Sequence, residues 1–280
     1  MERDKTTLSI NLRKVGNMVF YQRNGKIISR SATNSKYTDR KTDEQLRQRF
    51  WHRSVQMLWS DFKPFLVRYF EVRDAAHSAY LAFMHHNNKR GVFLGRKNMD
   101  KIALPLQISC GSLRSIEQQL DDDGRIITNL DLGDLVVGEE TTVGQLSQQI
   151  VRGTDFGQGD TLQWFVVHQQ KNGNIYDIQP EVVSLTLDCR SWVRLADAYP
   201  AGIFGQKDHY LATAPLTEAC CACFVHLRET DEGELQVSTQ SLLNHNTDVI
   251  EHFDSDEQFE SARQTYLTPY ERKKDKANRR

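Results

Sequence analysis

The chain has 280 residues, with 36 Lys+Arg against 37 Asp+Glu and a hydrophobic fraction of 39%. At that length it can bury roughly three quarters of its unfolded surface and needs neither a disulfide nor a structural metal to fold, while no run of about 18 apolar residues offers a membrane span. The opening residues MERDKTTLSINLRK lack the apolar core of a secretory signal, and five cysteines, an odd number, do not make a secreted disulfide framework, so a reducing cytoplasm is the expected compartment.

The near-neutral total conceals a segregation. Residues 1–116 carry 22 basic and 9 acidic side chains, residues 117–160 carry 2 and 10, and residues 161–270 carry 6 and 16; the last ten, ERKKDKANRR, add +4. Such asymmetry predicts modules with different surfaces, and a polyanionic partner for the first.

In chain order, NMVFYQR and KIISRS flank Asn24-Gly25, the pair best suited to a type I′ turn, which predicts a β-hairpin over residues 18–31. A two-residue loop pairs Arg23 with Lys26, Tyr21 with Ile28 and Val19 with Arg30, so that one face holds Tyr21, Arg23, Lys26 and Arg30. Thr42 and Gln45 then form a Thr-x-x-Gln capping box opening a helix whose stripe runs through Leu46, Phe50, Met57, Leu58, Phe62, Phe65, Leu66 and Tyr69. Pro64 predicts a kink or a break near Lys63. A second helix is expected over residues 75–87, ending at Asn87-Asn88 and followed by a basic loop with Lys89, Arg90, Arg96, Lys97 and Lys101.

From Ile102 the period changes to two. Ile102, Leu104, Leu106 and Ile108 predict a strand with one buried face, and Pro105 places it at an edge. Further strands are expected over residues 125–130, 161–169, 181–189, 219–228 and 234–241. TLQWFVVHQ and ACCACFVHL are apolar on both faces and are expected to lie centrally. Residues 141–151 read as a short amphipathic helix. Ser255 and Gln258 cap a last helix over residues 256–267.

Several stretches invite chemistry and receive a plainer reading. Strand alternation sends Cys221 and Cys223 to one face and Cys220 to the other, so CCAC reads as small buried hydrophobes rather than a zinc site. His85-His86 reads as a solvated helix end. Asp121-Asp122-Asp123-Gly124 lacks the calcium-loop spacing and reads as a hairpin turn. Gly157-Gln158-Gly159-Asp160 follows no strand and reads as a turn rather than a phosphate cradle. No nucleophile elbow or P-loop occurs. His168, His209 and His226 remain as histidines that a cysteine or serine could meet in space. The basic candidates for contacting an anion are Arg13, Lys14, Arg23, Lys26, Arg30, Arg40 and Lys41 beside Tyr21, with Arg47, Arg49 and Arg53 following.

Residues 15–26 (VGNMVFYQRNGK), then Arg30, Thr42, Gln45, Gln48, Arg49, Phe50 and Pro64, resemble the start of a Bacteroidota family known as domain of unknown function 6266. The second half is similar to it at residues 142–147 and 159–162, and most of all at residues 223–228 (CFVHLR) followed by residues 235–242 (LQVSTQSL). The resemblance spans about residues 12–267; it implies a hairpin and helices followed by a β-sandwich-like module, and supplies no activity, ligand or cofactor. His226, Arg228, Ser238 and Gln240 match its most recognisable motif, where hydrogen bonds that fix a hairpin and a neighbouring turn are the expected role.

The resulting expectation is an α+β chain. It has a basic hairpin-and-helix region (1–100), a mainly antiparallel acidic β domain (101–268) closed by a C-terminal helix, and a basic disordered tail (269–280). The function expected is non-catalytic binding or assembly, intracellular or within a mobile element, with no cofactor and with self-association through opposite charge poles. One alternative is nucleic-acid binding through the basic hairpin; another is a metal-dependent or Ser/Cys hydrolase built on His226.

Overall fold

A computed structural model describes residues 14–15, 18–23, 26–31, 43–71, 78–88, 93–94, 102–103, 106–172, 175–216 and 220–244. Three strands, β1 (Lys14–Val15), β2 (Met18–Arg23) and β3 (Lys26–Ser31), form an antiparallel meander. Its register carries the three expected pairs, Arg23 with Lys26, Tyr21 with Ile28 and Val19 with Arg30.

Helix α1 (Asp43–Leu66) runs through Pro64 without the break into two helices that was one of the two outcomes expected near Lys63. The physical reason is position. Pro64 lies two residues from the helix end, where its missing N–H costs one ladder bond, and the chain leaves through tighter turns, Arg68 N–H to the Phe65 carbonyl and Tyr69 N–H to that of Leu66. Helix α2 (Ala79–Asn87) starts later than expected because the Ser78 side chain caps it, accepting from the Leu81 N–H.

The run from Ile102 is not one strand. β4 (Phe93–Leu94) pairs with β5 (Ile102–Ala103), whereas β6 (Gln107–Ser109) pairs elsewhere. Nor does β6 have a solvent face, since Gln107 and Ser109 are as buried as Leu106 and Ile108. Their polar groups are satisfied inside: Asn87 exchanges two 2.9 Å bonds with the Gln107 backbone, and Ser109 Oγ donates to the Ser238 carbonyl. Alternation cannot announce a face that is buried through partnered polar groups.

The remainder is β7 (Gln118–Leu120), β8 (Ile126–Asp131), α3 (Val143–Gly153), β9 (Thr161–Asn172), β10 (Ile175–Thr186), α4 (Leu195–Ala198), β11 (Gly205–Lys207), β12 (Tyr210–Ala212), β13 (Cys220–Glu229), β14 (Leu235–Val237), β15 (Gln240–Ser241) and β16 (Leu243–Asn244). One sheet runs β10-β9-β13-β14, with β16 also on β13; another runs β11-β12-β8-β7; and β15 pairs with β6. The chain is mixed α+β, mostly β, with antiparallel pairing throughout its sheets. β10 begins six residues before the expected Glu181, and Pro180 is tolerated inside it because β10 is an edge. The expected strand over residues 234–241 divides, β14 joining β13 and β15 joining β6.

As the apolar runs predict, β9 and β13 are interior strands with a core on each face. Phe165, Val167, Cys221, Cys223, Val225 and Leu227 face α1 and α2, packing on Leu58, Phe62, Leu66 and Phe83. Leu162, Trp164, Val166, Ala222 and Phe224 pack instead on Ile126, Leu130, Leu146 and Ile150 from β8 and α3. The change of charge and period near residue 102 is therefore no boundary in the packing, because the helices share a core with the β strands. Glu71 tightens that junction: its Oε1 accepts from the Ser112 and Val237 N–H groups, each at 2.7 Å. Gly111 is required there, as a Cβ would collide with the Glu71 carboxylate and the Val237 carbonyl. No helix among the described residues is long and apolar enough to cross a membrane. The expected helix over residues 256–267 and the basic tail lie outside the described residues.

Candidate functional site

The two ends of β13 carry polar groups on the face shared with Ala222 and Phe224. At its C-terminal end, His226 and Arg228 project from alternate positions toward Asp160, the residue just before β9. Asp160 ends the Gly157–Asp160 turn, which Gly159 permits by adopting φ +91°. Its N–H bonds the Gly157 carbonyl, and its carboxylate accepts from the Gly157 N–H at 2.7 Å.

That carboxylate is the hub. Oδ2 accepts from His226 Nε2 at 2.7 Å and Arg228 Nη2 at 2.7 Å, and Oδ1 accepts from Arg228 Nε at 2.9 Å. The Asp160 and His226 side chains are only 5% and 3% exposed, so bulk water does not compete for these bonds. Phe156 stacks on the His226 ring with centroids 3.6 Å apart. Arg228 also donates to the Asp155 carbonyl, fastening the segment before the turn.

Burial would raise the Asp160 carboxyl, but Arg228, the Gly157 N–H and His226 outweigh it and hold the group below the ordinary carboxylate value. Burial lowers His226 below the ordinary imidazole value, against the pull of Asp160, so the ring is neutral with its proton on Nε2. Both shifts act in one direction. Below about pH 6.5 the unfolded chain binds a proton that folded His226 refuses, so stability falls with pH; the Asp160 contribution, present above about pH 3.9, is lost as pH falls through its depressed folded value. Urea midpoints measured at pH 7.5 and pH 5 are therefore expected to differ, and His226→Gln to remove part of the difference.

The other motif positions join the same network. Ser238 Oγ accepts the His226 backbone N–H at 2.9 Å, and the Ser238 N–H returns to the His226 carbonyl. Ser109 Oγ donates to the Ser238 carbonyl and accepts the Gln240 N–H at 2.9 Å. Gln240 Oε1 accepts from Gln118, whose amide also exchanges two bonds with the Phe224 backbone. His226, Arg228, Ser238 and Gln240 thus form one continuous web that ties β13 to the 157–160 turn, β6 and β7. Among the described residues the recorded partner of the His226 ring nitrogens is Asp160, and no serine or cysteine side chain is hydrogen-bonded to the ring. Nor does any group of three or more His, Cys, Asp and Glu there form a metal cage.

Asp160 stands in the sequence as a turn residue and within the family-like stretch 159–162, with no role assigned to its carboxylate; the turn over residues 157–160 is as read. The available signal was a lone Asp immediately before a buried strand. The Asp121 turn is also as read: Asp121 Oδ1 accepts from the Asp123 and Arg125 N–H groups, with Lys207 on its other oxygen. Cys221 and Cys223 face the helices and Cys220 the opposite core, as alternation predicts. Of the candidates for contacting an anion, Lys14, Tyr21, Arg23, Lys26 and Arg30 fall on the meander, with Arg30 exposed; Arg13, Arg40 and Lys41 lie outside the described residues. No family model, curated protein or solved structure matches this chain.

Proposed function

We propose that this chain is a non-catalytic binding and assembly protein whose basic N-terminal half engages an acidic protein surface, the nearest being the acidic half of another copy. One observation carries the reading. The β1-β2-β3 meander is a sheet of its own, and on it Met18 is 41% and Ile27 55% exposed. A separate ribbon with exposed apolar side chains, whose sequence carries Lys14, Arg23, Lys26 and Arg30, suits a partner of opposite charge.

The saturation of Asp160 by groups of the chain itself supports a structural role for the motif residues in preference to catalysis. The same proposal includes membership of the family that the motifs resemble, closure of residues 101–268 as a sandwich-like body, and a final helix over residues 256–267. Because the basic and acidic surfaces differ, contact between copies would be head to tail and would build rings or filaments.

Light scattering across a salt series tests the reading. Screening shortens from roughly 10 Å at 0.1 M to roughly 3 Å at 1 M salt, so assemblies at low salt are expected to dissociate to monomer at high salt. A strict monomer at every salt overturns self-assembly. Steeply salt-dependent retention of that monomer on duplex DNA would move the ribbon to the nucleic-acid reading.

A further inference from the structure

The opposite end of β13 holds a second polar group. Cys220 pairs directly with His168 on β9, and Glu181 on β10 is two residues from Gln179, the partner of His168 on that side. Residues opposed across antiparallel strands, and those two apart along one strand, share a face, so the three side chains form a row across the sheet. Cys220 Sγ lies 3.3 Å from His168 Nδ1, and His168 Nε2 lies 3.4 Å from Glu181 Oε2. The two ring nitrogens point to opposite partners, which is the geometry of a relay and not of a chelate.

With the imidazole proton on Nε2, the ring nitrogen that faces Glu181, Nδ1 offers its lone pair to the thiol. The row sits where the apolar face ends: Cys220 is 7% exposed and packed on that core, while the His168 side chain is 40% exposed. Burial pushes Cys221 up to about 12 and Cys223 higher still.

We propose that Cys220 is a nucleophilic thiol, served by His168 as base and Glu181 as positioning residue, at which the chain takes up a small disulfide. The Cys220 S–H proton passes to His168 Nδ1, and the sulfur attacks one sulfur of an R–S–S–R molecule. The Sγ–S bond forms as the S–S bond breaks. The departing RS⁻ takes the proton from His168, so Cys220 is oxidised and half of the disulfide is reduced to RSH. This is a covalent modification site and involves no turnover, so it stands independently of the assembly reading.

The test treats the native full-length chain near pH 7 with 2-hydroxyethyl disulfide and, separately, with iodoacetamide, and follows each cysteine by fragment-resolved mass spectrometry. Cys220 is expected to react before the half-buried Cys110 and Cys189. His168→Gln should slow Cys220 at least about tenfold and leave Cys110 and Cys189 unchanged, which also reports an intact fold. Glu181→Gln should slow it less, with Glu181→Asp restoring the rate. Cys220→Ser should abolish the fast phase. The wild-type order of reaction decides the matter without any variant: Cys110 or Cys189 reacting first overturns the proposal, as does an unchanged Cys220 rate in His168→Gln.

Discussion

Asp160→Ala is expected to destabilise the fold by about 3–5 kcal/mol, the range for removing one member of a buried charge pair. For a chain of this size that corresponds to a fall in Tm on the order of 10 °C. The magnitude comes from what is left behind. His226 Nε2–H and the Gly157 N–H lose their acceptor, and the Arg228 guanidinium keeps only the Asp155 carbonyl; buried donors without acceptors pay their full desolvation. The coupling is the more specific result. Once Asp160 is alanine, a His226→Phe change should cost less than it does in the wild type, because the ring no longer has a carboxylate to lose; a double-mutant cycle on urea midpoints reads the difference. Strictly additive costs would mean that the two groups do not act as one lock.

Phe165→Ala is expected to cost a similar amount, about 3–5 kcal/mol, for a different reason. Phe165 is fully buried on β9 and meets Phe62, Phe65 and Tyr69 edge-on, with ring centroids 5.9–6.1 Å apart. Those three rings come from α1 and the turn after it, so one side chain joins the helices to the central sheet. The variant should therefore still unfold in one transition, with far-UV helical signal and tryptophan fluorescence shifting together. A helical signal that melts separately while the fluorescence transition stays in place would show two independent cores.

The hairpin, the interior strands and the short helix α3 were legible because each depends on a local rule. Asn24-Gly25 predicted the register of β2 and β3, two-sided apolar runs marked β9 and β13, and amphipathic spacing marked α3. What escaped depends on long-range partners. Nothing near Gln107 shows that Asn87 will bury it, and nothing near Glu234 shows that the following run will cross from β13 to β6. The site was half legible. His226, Arg228, Ser238 and Gln240 stood out as a motif, but their acceptor, Asp160, lies 66 residues before His226. His168 was noted as a histidine in search of a partner; pairing it with Cys220 needed the register of β9 against β13, which no local pattern contains.

The charge of residues 1–116 suggested a separate module, yet α1 and α2 are bound into the common core, while the meander forms a sheet of its own. The most direct measurement of the central claim follows from that division. Wild type and Lys26→Glu, Arg30→Glu are compared by sedimentation at low ionic strength, with Tm as the control for folding. Association of the wild type is expected, with a monomeric double variant of unchanged stability. Identical sedimentation of the two proteins would contradict it.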